Sequence, residues 1–233
     1  MLSKKTFLVI AGMLLLNTFT LRAGDSATFV DLGFSSNGGI YMFAQYGVQS
    51  GTLKPWADIF VVDVERNNFV SGGRVSYVHD SPILSGQDGS GALYQLIAQN
   101  VALANRWGIS FPNQGQPLFI ALEESPVPRG ETIEFRDFVS GIQYRASLVS
   151  SVEGSGSNLR SSFYIDLQSS PRNGPEKRYT VGTPQLKRSQ IDSYRIKKVL
   201  IAPPGNALIF VIEMKRQGAD GPDIRYMIEA LQL

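Results

Sequence analysis

Two lysines ahead of a short apolar run, in a chain with no cysteine, bound what this protein can become. Lys4 and Lys5 lead into Phe7 to Leu16, interrupted only by small residues, and Ala23 closes the segment. A charged start, a brief apolar stretch and a small final residue are the layout of a secretory signal peptide over residues 1–23. The residue three places before that cut, Leu21, is bulkier than such sites usually carry. The apolar run is shorter than the roughly 20 residues that a stable membrane span needs. No later segment is longer or more apolar, so the mature chain is expected to be exported, soluble and without a membrane span. The address is the periplasm or the extracellular space.

Export permits disulfides, and this chain has no cysteine to make them. Acyl anchoring through an N-terminal cysteine and thiolate zinc sites are excluded on the same ground. The roughly 210 residues from Gly24 must therefore rely on a hydrophobic core, enough for one sizeable domain over 24–233. Charge points to no polyanionic partner. The chain has 22 basic and 20 acidic residues, and Lys4, Lys5 and Arg22 leave with the leader, so 19 face 20. The densest basic group is Lys187, Arg188, Arg195, Lys197 and Lys198. Arg195 and Lys197 alternate with Tyr194 and Ile196, which reads as the wet face of a strand. No nucleic-acid partner is expected.

Two segments share one design. Leu32 to Phe43 and Leu200 to Phe210 each run from an apolar strand through a turn, at Gly38 or Gly205, into a second apolar strand. Asn37-Gly38 suits a tight hairpin, and Pro203-Pro204-Gly205 sets fixed φ values before a permissive glycine. Downstream, Trp56-Ala57-Asp58-Ile59 faces Gly221-Pro222-Asp223-Ile224, each an aspartate then an isoleucine at the mouth of a third strand. The offset is 167 residues at Gly38/Gly205 and 165 at Asp58/Asp223. Related three-stranded meanders are thus expected over 24–70 and 196–233.

Phe34-Ser35-Ser36-Asn37-Gly38 and Ile59-Phe60-Val61-Val62-Asp63 resemble a blade of the β-propeller repeats in periplasmic Tol-type proteins. A propeller needs four or more blades, and two units do not close one. The chain also resembles a family of predicted secreted bacterial proteins of unassigned function. That resemblance rests on Gly33-Phe34-Ser35, Tyr46-Gly47-Val48, Val181-Gly182-Thr183-Pro184, Tyr194-Arg195-Ile196 and Asp223-Ile224-Arg225-Tyr226-Met227. It implies export and brings no ligand or catalytic residue.

Between the meanders, Leu93, Leu96, Ile97, Val101 and Ala104 recur at helical spacing, which predicts one helix over 87–108. Asp88 or Ser90 suits its start and Gly108 its end. Leu118 to Leu122, Thr132 to Phe138, Gln143 to Ser150 and Ser161 to Leu167 read as central strands within 116–168. Ser169 to Lys177 reads as a mobile connection. The fold class is mainly β with one α-helix. A two-layer β-sheet domain is expected, built on the two related three-stranded meanders and not a closed propeller.

Catalytic constellations are scarce. His79 is the sole histidine and no G-x-S-x-G elbow accompanies it, so it reads as a loop residue. One histidine and no cysteine leave little for a metal, and no cofactor is expected. Glu123, Glu124, Glu131 and Glu134 could supply paired carboxylates, although Pro126 and Pro128 favour a solvated loop. Asp220-Gly221-Pro222-Asp223 and Gln87-Asp88-Gly89-Ser90 lack the ligand order of a calcium loop and read as a turn and a helix cap.

The candidate binding residues are Tyr41, Tyr46, Trp56, Asp58, Asp223 and Tyr226. The aromatics either form a rim that stacks on a sugar or anchors a protein, or fill the core between sheets. Asp58 and Asp223 are expected to cap equivalent turns. The function this supports is an exported, non-catalytic envelope protein acting as a binding or scaffolding module for an envelope protein or glycan. The alternative is an envelope hydrolase acting on a glycan, with carboxylates that only the fold brings together.

Overall fold

The computed structural model describes residues 24–122, 130–218 and 221–233. The expected leader, the Glu123–Glu124 pair and Asp220 lie outside the described residues. Strands β1 (Thr28–Ser35), β2 (Ile40–Val48), β3 (Pro55–Asp63) and β4 (Asn68–Val78) form an antiparallel meander in chain order. A two-residue strand, β5 (Ile109–Ser110), pairs with the free side of β1. The first hairpin turns where Asn37-Gly38 predicts it. Gly38 takes φ 72°, and the Asn37 Oδ1 accepts from the Gly39 amide and the Ser35 hydroxyl. The meander has four strands rather than three, because β4 continues the pairing beyond residue 70.

Between β4 and β5 the chain forms α1 (Ser90–Gln99) and α2 (Val101–Arg106). The single helix expected over 87–108 is interrupted at Asn100, whose Nδ2 donates to the Leu96 carbonyl at 2.9 Å. The break shifts the apolar stripe. Leu93, Leu96 and Ala104 are buried as predicted, whereas Val101 turns to solvent and Leu103 packs inward in its place. Local end signals hold. Asp88 accepts from the Ser90 amide at 3.1 Å, and Gly108 takes φ 62°.

Strand β6 (Gln116–Ile120) crosses to the far end of the chain and pairs with β12 (Ile191–Ala202), not with the central strands. The second sheet holds β7 (Thr132–Arg136), β8 (Gln143–Glu153), β9 (Arg160–Ser170) and β10 (Lys177–Val181), with β11 (Arg188–Ser189) on another stretch of β9. The expected connection over Ser169–Lys177 is the turn of the β9–β10 hairpin; Tyr179-Thr180-Val181 was the strand signal beyond it. The third sheet joins β12, β13 (Ala207–Gly218) and β14 (Gly221–Gln232) in sequence. All three sheets are open, and none closes into a barrel or propeller.

The layering goes further than two. Ala207 to Ile212 of β13 are each 0 % exposed. Leu208, Phe210 and Ile212 pack with Leu148, Phe163 and Ile165 of the second sheet. Ala207, Ile209 and Val211 pack with Phe34, Tyr41, Phe43 and Val62 of the first. Leu32, Met42, Ala44 and Ile59 on the other face of the first sheet meet Leu93 and Leu96. The order is helices, first sheet, third sheet, second sheet, because a continuous apolar run must be covered on both faces. Where the two hairpins of the inner layers meet, a Cβ on Gly38 would lie 1.6 Å from the Pro203 carbonyl oxygen.

One polar cluster ties all three sheets. Glu229 on β14 is buried, accepts from Asn67 Nδ2 at 2.6 Å and lies 3.4 Å from Arg188 Nη2 on β11. Asn67 also accepts from the Ala230 amide at 2.7 Å, and Arg188 covers the Phe163 ring at 4.7 Å. Burial lifts the Glu229 carboxyl above its usual range, more than Asn67 and Arg188 lower it.

Two-sided burial has a direct test. Leu208→Ala and Ile209→Ala alter neighbours that point in opposite directions, and each is expected to cost about 2–5 kcal/mol in urea unfolding. A one-sided sheet would leave one of the two near zero.

Candidate functional site

The face of the first sheet that meets the third is graded along its strands. At one end it is apolar, with Phe34, Tyr41, Phe43 and Val62. Toward the other end the cross-strand row Gln45, Asp58 and Ser76 replaces apolar side chains. Gln45 Nε2 donates to Asp58 Oδ2 at 3.2 Å, and the Ser76 hydroxyl donates to Asp58 Oδ1. The Gln45 Oε1 then accepts the Tyr226 amide of β14 at 2.8 Å, so this row bridges two sheets. Gln45 is buried, and a buried amide side chain needs such partners.

One row further, the chain just before β1 lies along β14. Ser26 forms a parallel bridge with Ile224, the Ala27 amide donates to the Ile224 carbonyl, and the Ile224 amide donates to the Asp25 carbonyl. This places Asp25 at a hub. Its carboxylate accepts from the Trp56 indole N–H at 2.9 Å and from Arg225 Nη2 at 2.7 Å. The Arg225 guanidinium also stands 4.1 Å over the Trp56 ring, a cation–π arrangement. The Asp25 amide donates to Asp223 Oδ1 at 3.0 Å, and Arg216 Nη2 donates to Asp223 Oδ2 at 2.8 Å. Burial works against the Asp223 anion, but the Arg216 hydrogen bond, the Asp25 amide and the two guanidinium charges prevail. Its carboxyl is held below the usual range.

A second polar group lies where β12 and β13 reach the same end. Glu131 accepts the Ile196 amide at 3.1 Å and stands 3.9 Å from Arg195 Nε. Lys197 Nζ is 3.9 Å from Glu213 Oε2, to which the Tyr226 hydroxyl donates at 3.3 Å. Burial raises the Glu131 carboxyl, and the Glu213 charge adds to it, against the Ile196 amide and Arg195. Arg195 and Lys197 do alternate with buried Tyr194 and Ile196, yet their face is half-covered rather than wet. Lys187 and Arg188 of the same basic group likewise face Glu153 and Glu229.

Of the six residues the sequence singled out, four come together at this end: Trp56, Asp58, Asp223 and Tyr226. Trp56 and Asp223 are buried, while Asp58 and Tyr226 are half-buried, the latter edge-on to Phe29 at 5.7 Å. Tyr41 lies in the apolar end, stacked on Phe34 at 4.3 Å, with its hydroxyl raised well above its ordinary range by burial and by Asp31. Tyr46 packs on the opposite, helix-facing side beside Asp88. Asp58 and Asp223 cap no turns. Each sits within a strand and binds across to a neighbour. Sequence reasoning missed Asp25, Gln45, Glu213 and Arg225; a polar Gln45 inside an otherwise apolar β2 was the one readable signal.

The other chemical candidates disperse. Glu134 is solvated on the outer face of the second sheet, 3.6 Å from Arg145, away from the inward Glu131. The His79 Nδ1 is held by the backbone of Ser81, at 3.0 Å from its amide. His79 lines a cavity of about 640 Å³ with Asp88, Ser90 and Gln95; Asp88 accepts from Ser90 in the turn before the helix, whose N-cap is Gly89. Among the described residues, no group of three or more His, Asp or Glu side chains could hold a metal ion. Among them too, no helix is long and apolar enough to cross a membrane.

Fold and site together define a mainly β protein of stacked open sheets, with an internally paired polar cluster at one end of the central interface. The family model for predicted secreted protein (DUF2259) matches residues 42–232, and the chain belongs to this family, whose function is unknown. Of the motifs that carried the sequence resemblance, Gly33-Phe34-Ser35 precedes the matched stretch and the other four lie within it. No curated protein and no solved structure matches the chain.

The lowered Asp223 carboxyl sets an acid limb. Its folded value lies below the unfolded one of about 3.9, so its contribution is complete above that pH and is lost as pH falls through the folded value. Asp223→Asn is expected to cost about 1–3 kcal/mol at neutral pH and to flatten the stability profile below pH ~4, read by urea unfolding across pH.

Proposed function

We propose that this protein is an exported, non-catalytic module of the cell envelope, periplasmic or extracellular, that binds or scaffolds an envelope protein or a glycan. One observation carries the reading. Asp25, Asp58, Asp223, Glu131, Glu213, Arg216 and Arg225 are hydrogen-bonded within the chain, while Lys197 and Arg195 stand 3.9 Å from Glu213 and Glu131, and the buried Arg195 Nε has no hydrogen-bond partner. A cluster so largely paired favours a fixed surface over a reaction centre, which keeps a group poised for substrate. The binding face on this reading is the open end of the first sheet, where half-buried Asp58 pairs with exposed Ser76 and exposed Arg74 lies over the Phe60 ring. The consecutive order of β1 to β4 is also that of one propeller blade, which favours the Tol-type likeness as an analogy of form alone.

Trp56 supports this face from beneath, so the test uses exposed Arg74. Tagged mature protein is cross-linked in envelopes and recovered beside an Arg74→Glu variant of unchanged thermal midpoint. A stoichiometric protein or glycan in the first, reduced at least about ten-fold in the second, is the expected result. Recovery of the protein alone in both forms removes the reading.

A glycan hydrolase is the second reading, favoured by the raised Glu131 carboxyl beside the charge of Glu213. It requires turnover of envelope glycan by the wild type that Glu131→Gln abolishes.

A further inference from the structure

At one end of the second sheet, the β7–β8 and β9–β10 turns leave side by side, since Gln143 pairs with both Arg136 and Ser170. Phe138 and Val139 form the tip of the first turn and are each 83 % exposed. Neither packs into any of the three cores. Their presentation is nonetheless built. Buried Asp137 accepts from the amides of Val139 and Ser140 at 2.9 and 3.2 Å and from the Ser140 hydroxyl. Its own amide and carbonyl close the turn onto Ile142 and Gly141. Gly141 takes φ 75°, which completes the reversal. The two apolar side chains are thus held outward by a hydrogen-bonded frame.

The surroundings of the tip are cationic. Arg136, Arg172 and Lys177 are exposed and make no ion pair among the described residues. Nearby Arg145 is paired with Glu134, Arg178 lies 3.7 Å from Asp166, and Glu176 accepts from the Ser170 hydroxyl. Three cations without an ion pair therefore stand against two such carboxylates, Glu176 and the hydrogen-bonded Asp137. Beside Phe138 opens a polar hollow of about 550 Å³ lined by Arg136, Gln143, Arg145, Gln168 and Ser170, with Glu134 and Glu176 on its walls.

We propose that this end of the second sheet docks on an anionic lipid surface. Phe138 and Val139 enter the boundary between headgroups and acyl chains, while Arg136, Arg172 and Lys177 lie at the phosphate level. The hollow beside Phe138 receives a headgroup, with Arg136 and Gln143 as donors. The shape selects this occupant over a protein. A stable protein interface covers about 800 Å² per partner around an apolar centre, and here the apolar part is a convex tip of two side chains ringed by charge. The site is separate from the paired cluster between the first and third sheets, so the two readings stand or fall independently.

The mature chain is sedimented with phosphatidylcholine vesicles, with and without phosphatidylglycerol. Phe138→Ser with Val139→Ser, and separately Arg136→Glu, are run beside it. These positions are exposed, so thermal midpoints should match the wild type. The expected result is binding to the phosphatidylglycerol vesicles that weakens about ten-fold or more in each variant and with added salt. Excess inorganic phosphate at matched ionic strength should leave it unchanged. Wild-type protein that stays in the supernatant with anionic vesicles overturns the proposal. Equal sedimentation of wild type and the serine variant does so too, and so does loss of binding to inorganic phosphate alone.

Discussion

The packing of this protein turns on six consecutive residues, Ala207 to Ile212, none of which meets water. Alternation sends Leu208, Phe210 and Ile212 to one side and Ala207, Ile209 and Val211 to the other. One strand thereby supplies wall to two cores that share no other layer. A cysteine-free exported chain of this size has no cross-link to restrict its unfolded state. It compensates with apolar area, and the central sheet doubles the area each strand contributes. The first sheet repeats the device more modestly, with the helices covering its outer face.

Apolar layers alone would not fix how the sheets are registered against one another, since hydrophobic contact has little direction. Directed polar contacts sit where the layers join. Asn67, Glu229 and Arg188 link one residue from each sheet, and Asp25 links Trp56 of the first sheet to Arg225 of the third. Glu229 shows the cost of such a tie, since its burial lifts the carboxyl. Removing one partner would leave the others buried and unsatisfied, which disfavours any arrangement of the sheets that breaks the set.

How much of this was readable follows the range of each interaction. The Asn37-Gly38 hairpin, the Asp88–Ser90 turn ahead of the helix and the Gly108 helix end depend on residues a few places apart, and their chemistry shows locally. An open, mainly β class was legible from strand patterns and turns. The third layer was legible in principle, because a run such as Ala207 to Ile212 has no polar face, but periodicity alone does not say what covers it. The helix break at Asn100 competes with a pattern that continues through it. The site was least legible. Asp25 and Arg225 are 200 residues apart, and nothing near either names the other. Trp56 and Tyr41 were recognisable as large aromatics, while their depth depended on which sheet face they joined.

The stitch of Asp25 to Ala27 along β14 has a consequence in time. Synthesis delivers these residues early and β12 to β14 late. The sheet that both large cores require is thus the last to arrive, and the segments already delivered wait with one apolar face of each sheet uncovered. Long-range closure of this kind is slow and exposes strand edges meanwhile. Until the final strand is delivered, a nascent molecule therefore carries these uncovered faces without the layer that buries them. Completion of the Asp25–Arg225 contact marks the moment that exposure ends.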